Sequence, residues 1–206
     1  MFFAQMISMI GFSSVFPFLP LYVKSLGTVT SMSVELCVGL VFSGQAFSMM
    51  IASPVWGSLA DRWGRKVMVE RAMFGGAIII SIMAFVRSGE ELVVLRMIQG
   101  LITGVMGATN ALVAGAVPRG KTGYAMGLMQ VGMGIGLGLG PVIGGLVADA
   151  YGYQAAFFIT AALLAIAGVV VMFGVDEQFV PRESADKKRL NFFDAWQRVL
   201  TSHGVR

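Results

Sequence analysis

Long apolar stretches separated by short polar connections dominate the chain, and six of these stretches are 20 residues or longer. A helix needs about 20 mostly apolar residues to cross the hydrocarbon core of a bilayer. Five stretches contain no Asp, Glu, Lys or Arg, and the sixth, Val67–Val86, carries only Glu70 and Arg71 near one end. None shows the two-residue alternation of a membrane strand. Because lipid offers no partner to backbone polar groups, each stretch predicts a transmembrane helix.

The predicted fold is therefore all-α: a polytopic membrane protein whose six transmembrane helices form one bundle over residues 1–175. The six spans are placed at about residues 2–23, 34–59, 67–86, 91–115, 123–147 and 154–175. The connections are short, so consecutive helices are expected to be antiparallel.

Composition supports a membrane protein and excludes several other classes. Apolar residues make up 56% of the chain and charged residues 13%, about half the charge of a soluble domain. A disordered chain needs the opposite balance. Cys37 is the only cysteine and His203 the only histidine. No metal site, cofactor site or nucleophile–base pair is therefore predicted, and the chain is not expected to be an enzyme.

The distribution of charge predicts the orientation. Eleven of the 15 Lys and Arg residues lie in the connections 60–66 and 116–122 and in the tail 176–206, whereas the opposite connections hold only Lys24 and Arg87. The positive-inside rule then places both ends of the chain in the cytoplasm. The net charge of +4 follows from this topology, so no nucleic-acid partner is expected.

The tail after Val175 is predicted to be a cytoplasmic linker, because residues 176–190 are charged and contain Pro181. A short amphipathic helix is expected from Asn191, whose side chain can cap it. Its apolar side would lie on the membrane surface and consists of Phe192, Phe193, Trp196, Val199 and Leu200.

The connection after the second span, Gly57 to Lys66, has the sequence GSLADRWGRK. Gly64 permits an unusual backbone angle, and Asp61 can accept hydrogen bonds from a helix N-terminus or pair with nearby arginines. A basic connection that only fixes orientation is the alternative. The pattern resembles the G-x-L-A-D-R-x-G-R-R/K signature of the major facilitator superfamily, which lies between helices two and three. The residues that carry it are Gly57, Asp61, Arg62, Gly64, Arg65 and Lys66.

Arg96 lies about one turn inside the fourth span. An arginine in hydrocarbon costs about 3 kcal/mol on insertion scales, so its side chain should face protein or water, or else snorkel to the surface. With Gln99 and Gly100 it resembles the superfamily's R-x-x-Q-G signature, whose arginine is linked to proton movement in antiporters. Gly100 and Gly104 allow a neighbouring helix to approach closely.

Glycine recurs every four residues in the fifth span, at positions 132, 136, 140 and 144. Such a stripe is a smooth helix face for close packing, and Pro141 bends the helix. A nucleotide-binding loop is excluded because no G-x-G-x-x-G follows a strand. The segment resembles the superfamily's G-x-x-x-G-P-x-x-G-G signature, which is associated with antiporters and so favours export. Its residues here are Gly136, Gly140, Pro141, Gly144 and Gly145.

Few polar side chains lie within the spans. We expect Asn110 to line a cavity, although a hydrogen bond between helices is an equal alternative. Gln45 is a second cavity-lining candidate. Phe16, with Phe12 and Met106, could supply an adaptable apolar wall.

Together these signatures resemble the amino-terminal half of the twelve-helix drug:proton antiporters, the group of bacterial multidrug-resistance exporters. Members have two six-helix bundles. The resemblance implies a multi-pass protein of the cytoplasmic (inner) membrane that effluxes drugs or amphiphilic compounds in exchange for protons, without a cofactor. Its implied partners are membrane lipid, a small amphiphilic or hydrophobic substrate, protons and a second six-helix bundle.

The resemblance also implies two roles between the bundles. The residues around Asp61 would latch the bundles on the cytoplasmic side, and the surface 136–145 would form a hinge or seal against the second bundle. No Asp or Glu lies deep in a charge-free span, so the group that carries the proton is not identified. A proton-coupled metabolite transporter and a non-transporting membrane scaffold remain alternative functions.

Overall fold

A computed structural model describes residues 1–30, 32–103, 109–110, 112–113, 115 and 117–175. These residues contain helices and no strand, as the all-α prediction requires. The helices are α1 (Phe2–Ser14), α2 (Leu19–Leu26), α3 (Val34–Trp63), α4 (Arg65–Met83), α5 (Gly89–Thr103) and α6 (Thr122–Gly174), with a short 3-10 helix at Arg119–Lys121. Gly104, Met106 and the predicted linker 176–206 lie outside the described residues.

The first predicted span is divided into α1 and α2 by a turn at residues 15–18. Pro17 has no N–H to continue the helix, and Pro20 occupies the first turn of α2, where proline is tolerated. The chain still runs on in one direction, because the N–H of Leu19 donates to the Val15 carbonyl at 3.2 Å. Phe2–Leu26 is together long and apolar enough to cross a membrane.

A glycine separates α3 from α4. Gly64 has φ +98°, ends α3 by donating its N–H to the Ala60 carbonyl at 3.1 Å, and is followed at once by the first residue of α4. This left-handed conformation suits glycine and strains other residues. At the other end of α3, the Ser33 hydroxyl accepts a hydrogen bond from the Leu36 N–H. Helix α3 therefore ends at Trp63 and not at residue 59 as predicted, and α4 covers Arg65–Met83 where residues 67–86 were predicted.

The predicted spans 123–147 and 154–175 fall on either side of Gly152, the one non-helical residue inside α6, with φ +84°. Both parts of α6 lie along α1. Gly144 and Thr160 each approach Ser14, while Gly132 approaches Phe2 at the start of α1. Along the first part, residue numbers rise in the same direction as in α1, from Gly132 beside Phe2 to Gly144 beside Ser14. The second part starts from the same end of α1, with Thr160 beside Ser14, and runs back along it. The chain therefore reverses direction at Gly152.

Among the described residues, three segments are long and apolar enough to cross a membrane: Phe2–Leu26, Val34–Trp63 and Thr122–Gly174. Large apolar side chains such as Phe3, Leu146 and Phe173 are exposed on the outer surface, with 65%, 66% and 78% of their area accessible. A soluble monomer rarely exposes apolar surface on this scale, whereas lipid would cover it.

The interior contains an aromatic cluster where α2 meets the second part of α6. The rings of Phe18, Tyr22, Tyr153 and Phe157 lie 5.1 to 5.9 Å apart between centroids. A second core at the other end joins α1, α4 and α6 through Ala4, Val69 and Val171. The two cores therefore pack the second part of α6 against α2 at one end and against α1 and α4 at the other.

Candidate functional site

A buried polar cluster lies between α3 and α5. It consists of Arg96, Gln99 and Gln45, which are 2%, 0% and 7% exposed. Arg96 and Gln99 are three residues apart, which places them on one face of α5. The Arg96 Nη1 donates to Gln45 Oε1 and Gln99 Oε1, both at 3.1 Å. Arg96 is thus enclosed by protein and does not snorkel to the surface.

Gly100 is the reason that α3 can come this close. A Cβ at Gly100 would overlap the Gln45 carbonyl oxygen and lie 3.0 Å from the Ser48 Cβ. Any larger residue would therefore push α3 away and withdraw the Gln45 side chain from Arg96. In this bundle the Gln45 side chain is buried and bonded to Arg96, and its assignment as a cavity-lining residue stays a prediction.

The charged residues around the α3–α4 connection are of two kinds: some side chains are exposed, and one is bonded to another helix. Asp61 and Arg62 are exposed. Lys66 is anchored: its Nζ donates to the Met172 carbonyl at 2.7 Å and lies 3.8 Å from Glu70 Oε1. The connection therefore ties the start of α4 to the end of α6. Gly57 faces open space.

A contact that the sequence did not predict joins α3, α4 and α5. The Arg71 guanidinium lies 3.2 Å from the centre of the Trp56 ring, and its Nη2 donates to the Ile102 carbonyl at 3.0 Å. The Trp56 Nε1 donates to the neighbouring Leu101 carbonyl at 2.6 Å. An arginine and a tryptophan at corresponding depths of neighbouring spans were the only sequence signal.

The glycine stripe packs against α1. A Cβ at Gly136 would lie 2.9 Å from the Met6 carbonyl oxygen, and one at Gly140 would lie 2.7 Å from the Ile10 carbonyl oxygen. The Ser13 hydroxyl lies in the same interface, 2.9 Å from the Gly136 carbonyl oxygen. The buried face of the stripe is therefore used within this bundle, and a hinge or seal of the surface 136–145 against a second bundle stays a prediction. Pro141 and Gly145 lie beside the stripe, and Gly145 has open space around it.

The remaining cavity candidates, Asn110 and Phe16, are both exposed. Phe16 is 36% exposed, stacks on Phe42 at 5.8 Å and meets Phe12 edge-to-face at 5.3 Å. An apolar groove of about 400 Å³ lies between α4 and α6, lined by residues such as Phe74, Ile78 and Phe158. Within the part of the chain that the structure describes, no three His, Cys, Asp or Glu residues are placed to hold a metal ion.

The sequence model of the Major Facilitator Superfamily matches residues 1–205 of the chain. The chain belongs to the Major Facilitator Superfamily.

Relatives within the superfamily include the "Multidrug resistance protein MdtG" of Rahnella sp. (strain Y9602) and of Proteus mirabilis (strain HI4320). Each is 43% identical over 176 residues, which is 85% of this chain and 43% or 44% of the relative. The protein of the same name from Yersinia enterocolitica is 45% identical over 171 residues, 83% of this chain and 41% of its own length. The chain thus spans less than half the length of these relatives.

A solved structure supports the same fold. The human organic anion transporter MFSD10 (TETRAN) matches 82% of this chain and 45% of its own chain, with a TM-score of 0.65 and 19% identity. The superfamily and the all-helical fold class predicted from the sequence are confirmed. The protein is a multi-pass membrane protein of a transporter family. The roles assigned to individual signature residues stay predictions.

Proposed function

We propose that the chain is the amino-terminal half of a proton-coupled transporter that effluxes drugs or amphiphilic compounds across the inner membrane. The observation that carries this proposal is the match of 83–85% of the chain to proteins named for multidrug resistance. The match to under half of each relative supports a second six-helix bundle as partner. In this proposal both ends lie in the cytoplasm, and the chain is not an enzyme.

The mechanism we infer is a rocker switch in which two bundles open a shared cavity to one side of the membrane at a time. A hydrophobic or amphiphilic compound would contact the aromatic group of Phe12, Phe16 and Phe42, of which Phe16 is exposed and the other two are half-buried, with Asn110 as a polar contact. The close contact of α1 with α6 supports movement of this half as one rigid body, because both parts of α6 pack on α1.

The latch in this proposal divides into two parts. Lys66 holds the start of α4 to the end of α6 inside this half. Asp61 and Arg62 are exposed and are therefore the residues available to the second bundle on the cytoplasmic side. We place the proton-carrying carboxylate in the second bundle, because no acidic residue lies deep in a charge-free span here.

Dye efflux from cells tests the proposal. The chain is expressed alone, with a matching second bundle, and with that bundle plus an Asp61→Asn substitution. We expect efflux only when both bundles are present, its loss when a protonophore collapses the proton gradient, and a reduced rate in Asp61→Asn. Absence of efflux with both bundles in the membrane, together with a stable complex with another membrane protein, would favour a scaffold and contradict the proposal.

A further inference from the structure

Three buried nitrogen atoms of the Arg96 cluster, all of them hydrogen-bond donors, have no acceptor among the described residues. They are the Nε and Nη2 of Arg96 and the Nε2 of Gln99. Leaving a buried donor unpaired is unfavourable, and more so when the donor is charged. The Arg96 side chain is only 2% exposed, and two of its nitrogens have no acceptor. This combination points to an acceptor that binds beside them.

The geometry of the unused nitrogens specifies the acceptor. Nε and Nη2 lie along one edge of the guanidinium, and this edge matches the two oxygens of a carboxylate in a bidentate pair. The opposite nitrogen, Nη1, is fixed by the amide oxygens of Gln45 and Gln99 at 3.1 Å each. These two neutral partners orient the guanidinium without cancelling its charge.

The described acidic residues near α5 are engaged elsewhere. Glu90 Oε1 accepts from the Thr30 N–H at 2.9 Å, and Glu91 Oε2 accepts from the Arg87 N–H at 2.8 Å. Glu70 lies beside Lys66. Within the described part of the chain, no carboxylate is paired with Arg96.

We propose that Arg96, with Gln45 and Gln99, forms a binding site for a carboxylate group carried by the transported molecule. The cargo then includes anionic amphiphiles, and the arginine recognises their charged end. The assignment to cargo rests on the proposed function, whereas binding of a carboxylate is a property of this chain and is measured without transport.

The test is thermal unfolding of the full chain in lipid nanodiscs with acetate, with acetamide as its neutral isostere, and with chloride at the same ionic strength. Acetate is expected to raise the melting temperature, while acetamide and chloride are not. Arg96→Gln should weaken acetate binding by about tenfold or more, the worth of a charged hydrogen-bonded pair. Arg87→Gln removes an exposed charge and should leave acetate binding unchanged.

A second variant keeps the proposal testable if Arg96→Gln does not fold. Gln99→Glu places a carboxylate within the cluster, so it should raise the melting temperature and abolish the acetate response. An equal response to acetate and acetamide, or an acetate response that survives both variants, would overturn the proposal, because bound water or a nonspecific salt effect would then explain the unused nitrogens.

Addition of the second bundle distinguishes the source of the carboxylate. A persisting acetate response in the two-bundle protein supports a site for cargo. Loss of that response would show that a carboxylate of the second bundle fills the site, and would overturn the assignment. The proposed function is judged separately by efflux of an uncharged dye, so acetate binding without efflux would contradict only that function.

Discussion

Replacement of Gly140 by alanine tests the contact between α1 and α6. The new Cβ would overlap the Ser13 Oγ and lie 2.7 Å from the Ile10 carbonyl oxygen. An ordinary contact needs at least 3.4 Å, so the helices must separate by about 0.7 Å at this point. The serine hydroxyl can rotate away, but the backbone carbonyl cannot, and the strain is therefore carried by the helix pair.

Four effects set the magnitude of this change in stability. Overpacking a tight contact costs about 1–3 kcal/mol, and a gap of 0.5–1 Å forfeits roughly a quarter to a half of each dispersion contact. Displacement of Ser13 also loses a hydrogen bond, worth about 0.6 kcal/mol on average between membrane helices. The higher helix propensity of alanine returns at most about 1 kcal/mol. We therefore expect a net loss of about 1–3 kcal/mol.

The assay is the melting temperature of the purified chain in one detergent at one concentration. Gly138→Ala is the matched control, because Gly138 lies two residues away on the same helix and has no atom within 4 Å of its Cβ position. At about 2–4 °C per kcal/mol for a chain of this size, Gly140→Ala should melt several degrees lower, and Gly138→Ala at or slightly above the unmodified protein. Equal melting temperatures for the two variants would refute the packing argument.

Three further predictions concern contacts and conformations of single residues. Trp56→Phe keeps the apolar ring but loses the hydrogen bond to Leu101, so it should lower stability by about 1 kcal/mol; an unchanged melting temperature would contradict this. Gly64→Ala forces a side chain to φ +98° and should cost about 1–2 kcal/mol, read as a lower melting temperature than that of Gly57→Ala. The Thr30 N–H lowers the pKa of Glu90 to about 2, so its stabilisation is complete above the ordinary value near pH 4.5 and is lost as the pH falls towards 2. The difference in melting temperature between the unmodified chain and Glu90→Gln should disappear across that window, and a constant difference would exclude the contact.

Much of the fold could be predicted because membrane insertion leaves a strong sequence signal. The charge-free stretches 1–23, 36–60, 122–148 and 150–175 overlap the long apolar segments of the described residues, and Gly64 stands at the turn where its conformational freedom is needed. Burial of Arg96 was one of two arrangements expected from the cost of a charge in lipid, the other being a side chain that reaches the surface. These features depend on the composition of short stretches and on the chemistry of single residues. Both can be read directly from the sequence.

The pairing of helices could not be predicted in the same way. The four-residue spacing of glycines identifies a packing face but not the helix that packs on it, which in this bundle is α1. Likewise, Gln45 and Arg96 are 51 residues apart in the chain, and Arg71 meets Trp56 across two helices. Such contacts depend on how whole helices are arranged, and one sequence without its fold does not specify that arrangement.

Labelling of single cysteines in intact cells tests the membrane arrangement most directly. In a Cys37→Ser background, Val29→Cys places a thiol at a site that is 86% exposed in the connection before α3, and Arg62→Cys places one at the α3–α4 connection. The account predicts that an impermeant maleimide labels Val29→Cys in intact cells and Arg62→Cys only in inverted vesicles. Labelling of both sites from the same side would contradict it.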